Sequence, residues 1–248
     1  MPADVDGRRS LLNIFSTYRM PSRKAGNRHR QARNWDDLAL QELPLTIDDG
    51  QPLPAAVSAF LADSKQLMQS FWDQWLERPI EQYVACDFEY VWHAMGGLVE
   101  GDWLQGRSFV EWGAGFGVVT GLAWFHGLAA IGIEAEDFLV NRGRELFKRH
   151  AVGAELWHGN FLPADVDWLV QSQANHPSLH HRVASAYETQ SMQIDDFAMI
   201  FAYPWPGEEH FQREVFRHFA REGAILLMFR GPYQIEAYRK GGSDQPRL

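Results

Sequence analysis

The sequence predicts an α/β fold built on a doubly wound, mostly parallel sheet with helices on both faces. Three observations predict it. An apolar run at Phe109-Val110 leads into a glycine-rich loop and a helical apolar stretch. A second apolar run follows at 129–133 and ends in an acid, Glu134. Three further apolar runs alternate with helical periodicity along the chain, at 154–157, 197–202 and 224–229. Such alternation is typical of βαβ units.

The N-terminal part is predicted to be separate from this sheet. Residues 1–53 show no sustained period and hold scattered Pro, Gly and charge, so we interpret them as a flexible basic arm. Residues 1–34 carry eight Lys/Arg against two Asp, a net charge of +6. The whole chain has a net charge of −9, so the remainder is strongly acidic. An acidic body repels phosphate, which argues against a nucleic-acid partner.

Residues 54–100 are predicted to form a helical cap. An amphipathic helix is expected over 55–77, with apolar residues at helical spacing, and Pro79 should end it. A second helix should begin at the N-cap candidate Asp87 and end at Gly96-Gly97. The sheet domain is then expected over 101–240, followed by a C-terminal tail at 241–248.

The stretch from Glu111 to Gly117 carries the strongest functional signal. It reads E-W-G-A-G-F-G. Glycine permits a sharp turn from strand to helix and lets a ligand lie against bare backbone, while the helix N-terminus offers N–H groups to an anion. Glu134 lies about 20 residues further on, where an acid can accept hydrogen bonds from ribose hydroxyls. The pattern predicts a nucleotide site.

The glycine spacing distinguishes between nucleotide cofactors. Dinucleotide enzymes favour G-x-G-x-x-G, whereas Val118 stands here in place of the third glycine and the spacing is G-x-G-x-G. With Glu111 two residues before the first glycine, the pattern resembles motif I of the class I S-adenosylmethionine-dependent methyltransferases. An NAD-dependent oxidoreductase and a non-catalytic adaptor that keeps the fold remain alternative functions.

The resemblance covers about Tyr83 to Lys240 and implies a Rossmann-like sheet with strand order 3-2-1-4-5. The last alternating segment, over 233–239, is expected to add one antiparallel strand. Few residues follow Phe229, so the sheet is predicted to be shortened at the C-terminus to about six strands, where the family commonly has seven.

The resemblance also implies a site for S-adenosyl-L-methionine at the carboxyl edge of the sheet, formed by Tyr83, Glu111, Gly113, Ala114, Gly115, Gly117, Glu134, Ala135, Asn160 and Phe161. The glycine loop would hold the methionine part, and Glu111 would position the loop or the cofactor's amino group. Glu134 would fix the ribose. Asn160 replaces the family's usual acid, and its carbonyl can still accept a bond from the adenine amino group. Phe161 would lie against the adenine, and Tyr83 would cover the methionine end.

A second motif follows the fourth strand. Tyr203-Pro204-Trp205-Pro206 is similar to the aromatic–proline motif of amino-directed methyltransferases. Tyr203 and Trp205 are expected to face the methyl group, because aromatic rings stabilise a cationic amine. Glu208 or Glu209 is the candidate base. An amine acceptor is favoured, on a small molecule or a protein side chain, but the acceptor and the oligomeric state are not determined.

Composition narrows the cellular setting. The single cysteine, Cys86, excludes an internal disulfide and fits a reducing compartment, so we expect a cytoplasmic protein. No apolar run reaches the ~18 residues that a membrane span needs. Histidines within 164–193 match no standard metal-ligand spacing, so we predict a surface insertion and no metal site.

Overall fold

The structure, a computed structural model, describes residues 40–75, 86–166 and 183–241. Its strands are β1 (Leu40–Leu43), β2 (Ser108–Trp112), β3 (Ala129–Glu134), β4 (Glu155–His158), β5 (Met199–Ala202), β6 (Ile225–Gly231) and β7 (Gln234–Lys240). Its helices are α1 (Ala55–Trp75), α2 (Phe88–Glu100), α3 (Val118–Phe125), α4 (Asp137–Arg149), α5 (Ala186–Gln190) and α6 (Glu209–Phe219). Two short 3₁₀ turns lie at Ala164–Val166 and Ile194–Asp196.

The seven strands form one sheet in the order β1-β7-β6-β5-β2-β3-β4. The five strands from β2 to β6 run parallel, and β7 returns antiparallel to β6. All four residues of β5 are buried, as a central strand covered on both faces requires. The predicted fold class, the order of the parallel strands and the antiparallel C-terminal strand are confirmed.

Helices cover both faces of the sheet. Phe109 and Phe201 point to the face that carries α3, whereas Val110 and Ile200 pack with α6 on the other face. Successive strand residues point to opposite faces, so this alternation follows from the extended backbone. The helix after β2 and the helix after β5 therefore leave on opposite faces. In α/β sheets, ligands bind outside the carboxyl ends of two neighbouring strands whose helices leave on opposite faces, so this point is the expected place for a site.

The predicted count of about six strands is wrong, because residues 40–43 of the predicted flexible arm form β1. Leu40 lies opposite Lys240 and Leu43 opposite Ala237, in antiparallel register. The Leu43 side chain is only 4% exposed and belongs to the main core. So short an edge strand has too few residues to show a period in the sequence. Residues 1–39 of the predicted arm and 242–248 of the predicted tail lie outside the described residues.

The predicted end of the second helix at Gly96-Gly97 is also wrong, since α2 continues to Glu100. A Cβ on Gly96 would lie 3.2 Å from the His126 ring, and one on Gly97 would lie 3.2 Å from the Thr46 carbonyl oxygen. These glycines allow close packing within the helix. The predicted N-cap is confirmed, because the Asp87 carboxylate accepts a bond from the Tyr90 N–H at 3.1 Å.

Helices α1 and α2 pack into the same apolar core as the sheet. Helix α1 is described to Trp75, so the predicted stop at Pro79 lies outside the described residues. None of the described helices combines the length and apolarity that a membrane span requires.

Leu43→Ala should lower the free energy of unfolding by about 2–5 kcal/mol, because it removes a buried side chain from the edge of the core. Gln41→Ala, on an exposed position of the same strand, should change it by less than about 0.5 kcal/mol. Urea unfolding of both variants measures the difference. Equal, small effects would show that β1 adds nothing to the stability of the sheet.

Candidate functional site

The loop between β2 and α3 adopts the backbone conformation that its glycines permit. Gly113, Gly115 and Gly117 have φ angles of +70°, +56° and +74°, a region that residues with a Cβ rarely adopt. A Cβ on Gly117 would lie 2.8 Å from Leu156 Cδ2, inside the core. A Cβ on Gly113 would meet nothing within 4 Å. Gly117 thus lets α3 start close to the core, and Gly113 leaves bare backbone facing open space.

Glu134, at the end of β3, points at this loop. One carboxylate oxygen accepts a bond from the Gly115 N–H at 2.7 Å, and the other accepts a bond from the Glu136 N–H at 2.9 Å. The residue is 9% exposed. Next to it, the carbonyl oxygen of Ala135 lies 2.9 Å from His158 Nε2 at the end of β4. The acid and the glycine loop, which the sequence placed on adjacent strands, therefore meet at one edge of the sheet.

Glu111 faces α3 from the middle of the sheet and is buried. One of its oxygens accepts bonds from the Thr120 N–H at 2.7 Å and from the Thr120 hydroxyl at 2.5 Å. Burial raises the pKa of Glu111 to about 8, with a further contribution from the nearby Glu134 carboxylate, while the Thr120 bonds lower it. Of the two roles left open by the sequence, these bonds favour positioning of the loop, because they fix the first turn of α3.

Asn160 and Phe161 follow β4 at the same edge. The Asn160 side-chain oxygen accepts a bond from the Leu162 N–H at 3.0 Å, and a carbonyl oxygen has a second lone pair for another donor. The Phe161 ring stacks on Trp112 with a centroid distance of 5.4 Å and an interplanar angle of 16°. Trp112 in turn donates its indole N–H to the Tyr187 hydroxyl at 2.8 Å.

Trp112 and Tyr187 were not found by sequence reasoning. Trp112 lies between Glu111 and Gly113, but no spacing rule sets it apart from an ordinary strand residue. Tyr187 lies inside the stretch 164–193, which was predicted to be a surface insertion, and only the fold brings it next to β2. That prediction is wrong for the described end of the stretch, because Ala186 and Tyr187 of α5 are buried in the core. Both are buried, so they act as a fixed support for Phe161.

Tyr203, directly after β5, packs edge-on against Phe229 of β6, with ring centroids 4.9 Å apart. Burial raises the pKa of Tyr203, and the neighbouring Cys86 thiol adds to the rise. Burial also raises the pKa of Cys86, together with the nearby Glu111 carboxylate. Cys86, just before α2, and Tyr203, in the loop after β5, both pack against the main core. Trp205, two residues on, is half-buried.

Glu208 precedes α6 and is 2% exposed. Burial raises its pKa to about 7, although hydrogen bonds from the Trp205 N–H and the Gln212 side chain lower it. A carboxyl with a pKa near neutrality can accept and return a proton at physiological pH. Glu209 instead accepts a bond from the Gly207 N–H at 2.9 Å and lies 3.7 Å from Arg230, which suits a structural role.

Two expectations fall wholly or partly outside the described chain. Tyr83, predicted to cover the methionine end of the cofactor, lies outside the described residues. Most of the predicted surface insertion at 164–193, with its histidines, also lies outside them. Within the described ranges, no group of three or more His, Cys, Asp or Glu side chains could hold a metal ion.

Comparison with known proteins finds similar structures without a matching sequence family. No protein-family model matches the chain, and no curated protein matches it. Among solved structures, an RNA methyltransferase from Salinibacter ruber in complex with S-adenosyl-L-homocysteine is 17% identical with a TM-score of 0.40, covering 61% of this chain and 91% of that one.

Two other solved structures are similar to a comparable degree. An O-methyltransferase from Bacillus cereus in complex with S-adenosyl-L-homocysteine is 15% identical with a TM-score of 0.42, covering 71% of this chain and 66% of that one. The S-adenosyl-L-homocysteine-bound methyltransferase PaMTH1 from Podospora anserina is 15% identical with a TM-score of 0.39, covering 72% of this chain and 63% of that one. At such identities the likeness concerns the fold alone.

Glu111→Gln should flatten the dependence of stability on pH. The pKa of Glu111 rises from its ordinary value of 4.5 to about 8 on folding. Between these values the folded protein binds more protons than the unfolded chain, so its stability falls as pH rises. Glutamine keeps an acceptor for Thr120 and cannot ionise. Wild-type stability should therefore fall more steeply than that of Glu111→Gln between roughly pH 6.5 and 8.

Chemical denaturation across this pH range measures the two slopes. His126, whose pKa burial lowers to about 4, contributes mainly below the range. Glu145→Gln, which removes an exposed carboxylate, is the matched control and should keep the wild-type slope. Identical slopes for wild type and Glu111→Gln would refute the raised pKa of Glu111.

Proposed function

We propose that this chain is an S-adenosyl-L-methionine-dependent methyltransferase that transfers a methyl group to an amine. One observation carries the proposal. The Glu134 carboxylate lies 2.7 Å from the Gly115 N–H, where β3 and the glycine loop meet at the carboxyl edge of the sheet. A carboxylate beside a glycine bend at a switch point is an arrangement suited to a nucleoside.

The described residues fit this cofactor. The bare backbone at Gly113 leaves room for a ligand directly against the loop. The N-terminus of α3 suits the carboxylate of the methionine part. The Glu134 oxygens can accept ribose hydroxyls, since each carboxylate oxygen has more than one lone pair. Asn160 retains acceptor capacity for the adenine amino group, and Phe161 offers a flat surface beside it.

When bound, the cofactor supplies a methyl group that is already activated on a sulfonium. The protein's own contribution is then alignment, exclusion of water and removal of a proton. Alignment of two reactants can lower the barrier by roughly 7–11 kcal/mol. In this proposal the glycine loop and Glu134 fix the cofactor, and Tyr203 and Trp205 face the acceptor.

The amine acceptor is inferred from the surroundings of Tyr203. Aromatic faces attract a cationic nitrogen. Glu208, with its pKa near 7, can take the proton that an ammonium group must lose before it attacks. A small molecule and a protein side chain both suit this chemistry. The acidic charge beyond residue 34 disfavours nucleic acid, and the lone Cys86 suits the cytoplasm.

Titration calorimetry with S-adenosyl-L-methionine, S-adenosyl-L-homocysteine and NAD tests the proposal on the full chain. We expect micromolar binding of the first two and none of NAD. Binding of NAD alone would favour an oxidoreductase. The absence of any nucleotide binding would favour an adaptor that keeps only the fold.

Glu134→Ala should weaken S-adenosyl-L-homocysteine binding by roughly 1–3 kcal/mol, which is about 5–150-fold, because the ribose loses a charged acceptor. Glu136→Ala is the matched control, since Glu136 is exposed and its backbone N–H remains. Calorimetry gives both affinities, and circular dichroism verifies that the variants fold. Unchanged affinity in a folded Glu134→Ala protein would remove Glu134 from the ribose role.

A further inference from the structure

A cavity of about 350 Å³ lies between helices α1 and α4, a volume that suits a small molecule. The two helices run antiparallel. Asp63, in the first half of α1, accepts a bond from Arg149 Nε at the end of α4 at 2.9 Å. Phe71, near the end of α1, packs against Phe138 at the start of α4. The cavity lies between these two contacts and is lined by side chains of both helices.

The inner side of the cavity is apolar. Phe71 and Phe116 line it and are 4% and 0% exposed. The Phe71 ring meets the Phe116 ring edge-on, with centroids 5.5 Å apart at 77°, and lies 5.9 Å from the Phe138 ring at 32°. Phe138 is 37% exposed and is one of two large apolar side chains that the described residues expose. An apolar group that enters the cavity removes part of this surface from water, which favours binding.

The charged groups that line the cavity leave one cation for a ligand. The lining includes two guanidiniums, of Arg142 and Arg149, and one carboxylate, of Asp63. Arg149 is already paired with Asp63. The Arg142 guanidinium lies 5.4 Å from the centre of the Phe138 ring, within the cavity wall.

Arg142 also lies 3.3 Å from Glu145, which does not line the cavity. Their side chains are 43% and 60% exposed, so solvent screens this pair and it holds Arg142 only weakly. The cavity is therefore a positively charged site on a part of the chain that is otherwise strongly acidic. Such a local charge attracts an anion and repels a cation.

We propose that this cavity binds a small carboxylate with an apolar body. The apolar body packs against Leu67, Phe71 and Phe138, and the carboxylate accepts hydrogen bonds from the Arg142 guanidinium, whose planar group of donors matches a carboxylate. This site goes beyond the proposed methyl transfer and does not depend on it.

The cavity is separate from the candidate cofactor site. None of the described residues assigned to the cofactor lines it. Its one connection to the glycine loop is Phe116, which stands between Gly115 and Gly117 and whose ring points into the core shared with α1. A ligand in the cavity leaves the bare backbone at Gly113 uncovered, so both ligands can be bound at the same time.

NMR titration of the full chain with 3-phenylpropionate tests the site, with and without saturating S-adenosyl-L-homocysteine. Two related probes separate charge from apolar body. 3-Phenylpropan-1-ol keeps the ring without the charge, and propionate keeps the charge without the ring. We expect 3-phenylpropionate to bind most tightly, with the same affinity whether or not the nucleoside is present.

Arg142→Gln should weaken binding of 3-phenylpropionate about tenfold, because the carboxylate loses a charged donor, and should leave binding of the alcohol unchanged. Lys148→Gln is the matched control. It removes a cation from an exposed position of the same helix that does not line the cavity, so it should keep the wild-type affinities.

Ser70→Phe should abolish binding of 3-phenylpropionate and of the alcohol by filling the cavity. Ser70 lines the cavity from an exposed position of α1, so the added ring should leave the fold intact. Gln69→Phe places the same ring on a neighbouring exposed position outside the lining and should retain binding. Circular dichroism verifies that all four variants fold.

Four results would overturn the inference: no binding of 3-phenylpropionate to the wild type, equal binding of the acid and the alcohol, unchanged binding to both Arg142→Gln and Ser70→Phe, or displacement of the probe by S-adenosyl-L-homocysteine. The last result would place the probe in the cofactor site. Absence of nucleoside binding by itself overturns the methyltransferase proposal and leaves the cavity site standing.

Discussion

A single hydrogen bond, from the Gly115 N–H to the Glu134 carboxylate, joins the two strand-to-helix connections that form the candidate site. A buried carboxylate must be paired to be tolerated, and the N–H groups at a helix start need acceptors. The bond between the Gly115 N–H and the Glu134 carboxylate satisfies both requirements. The bond fixes the end of β3 against the loop after β2, so the relative position of loop and acid is set before any ligand arrives. Such preorganisation reduces the free energy that binding must spend on ordering the site.

Glu111, within the sheet, fixes the other end of the same loop. It holds the first turn of α3 through Thr120. Burial raises its pKa to about 8, and the nearby Glu134 carboxylate adds to the rise. Two acids near one loop repel each other, which disfavours the ionised form of the more deeply placed one. A ligand with positive charge would relieve this repulsion. Burial also raises the pKa of Glu208, to about 7. Glu208 follows the aromatic residues Tyr203 and Trp205 after β5.

The seventh strand of the sheet comes from a part of the chain that was predicted to be a flexible arm. Among the described residues, β7 is the one strand that follows β6, and β1, from the N-terminal part of the chain, pairs on the outer side of β7. The turn of the hairpin β6–β7 lies at the carboxyl edge of the parallel strands, and Tyr233 in it is 75% exposed. Tyr90 of α2 contacts Tyr233 in this turn, and Tyr203 in the loop after β5 contacts Phe229 of β6. These aromatic side chains come from segments far apart in the sequence.

The sequence by itself determined the parallel sheet, the glycine loop and the acid at the end of the next strand. These features are local, since alternating periodicity specifies strands and helices, and a bend with positive φ requires glycine. Only the tertiary structure decided that residues 40–43 join the sheet, that Trp112 and Tyr187 support Phe161, and that Gly96 and Gly97 lie inside α2. In each case the deciding contact joins residues distant in the chain. Periodicity cannot report such contacts, because they depend on how the elements pack and not on the residues within any one of them.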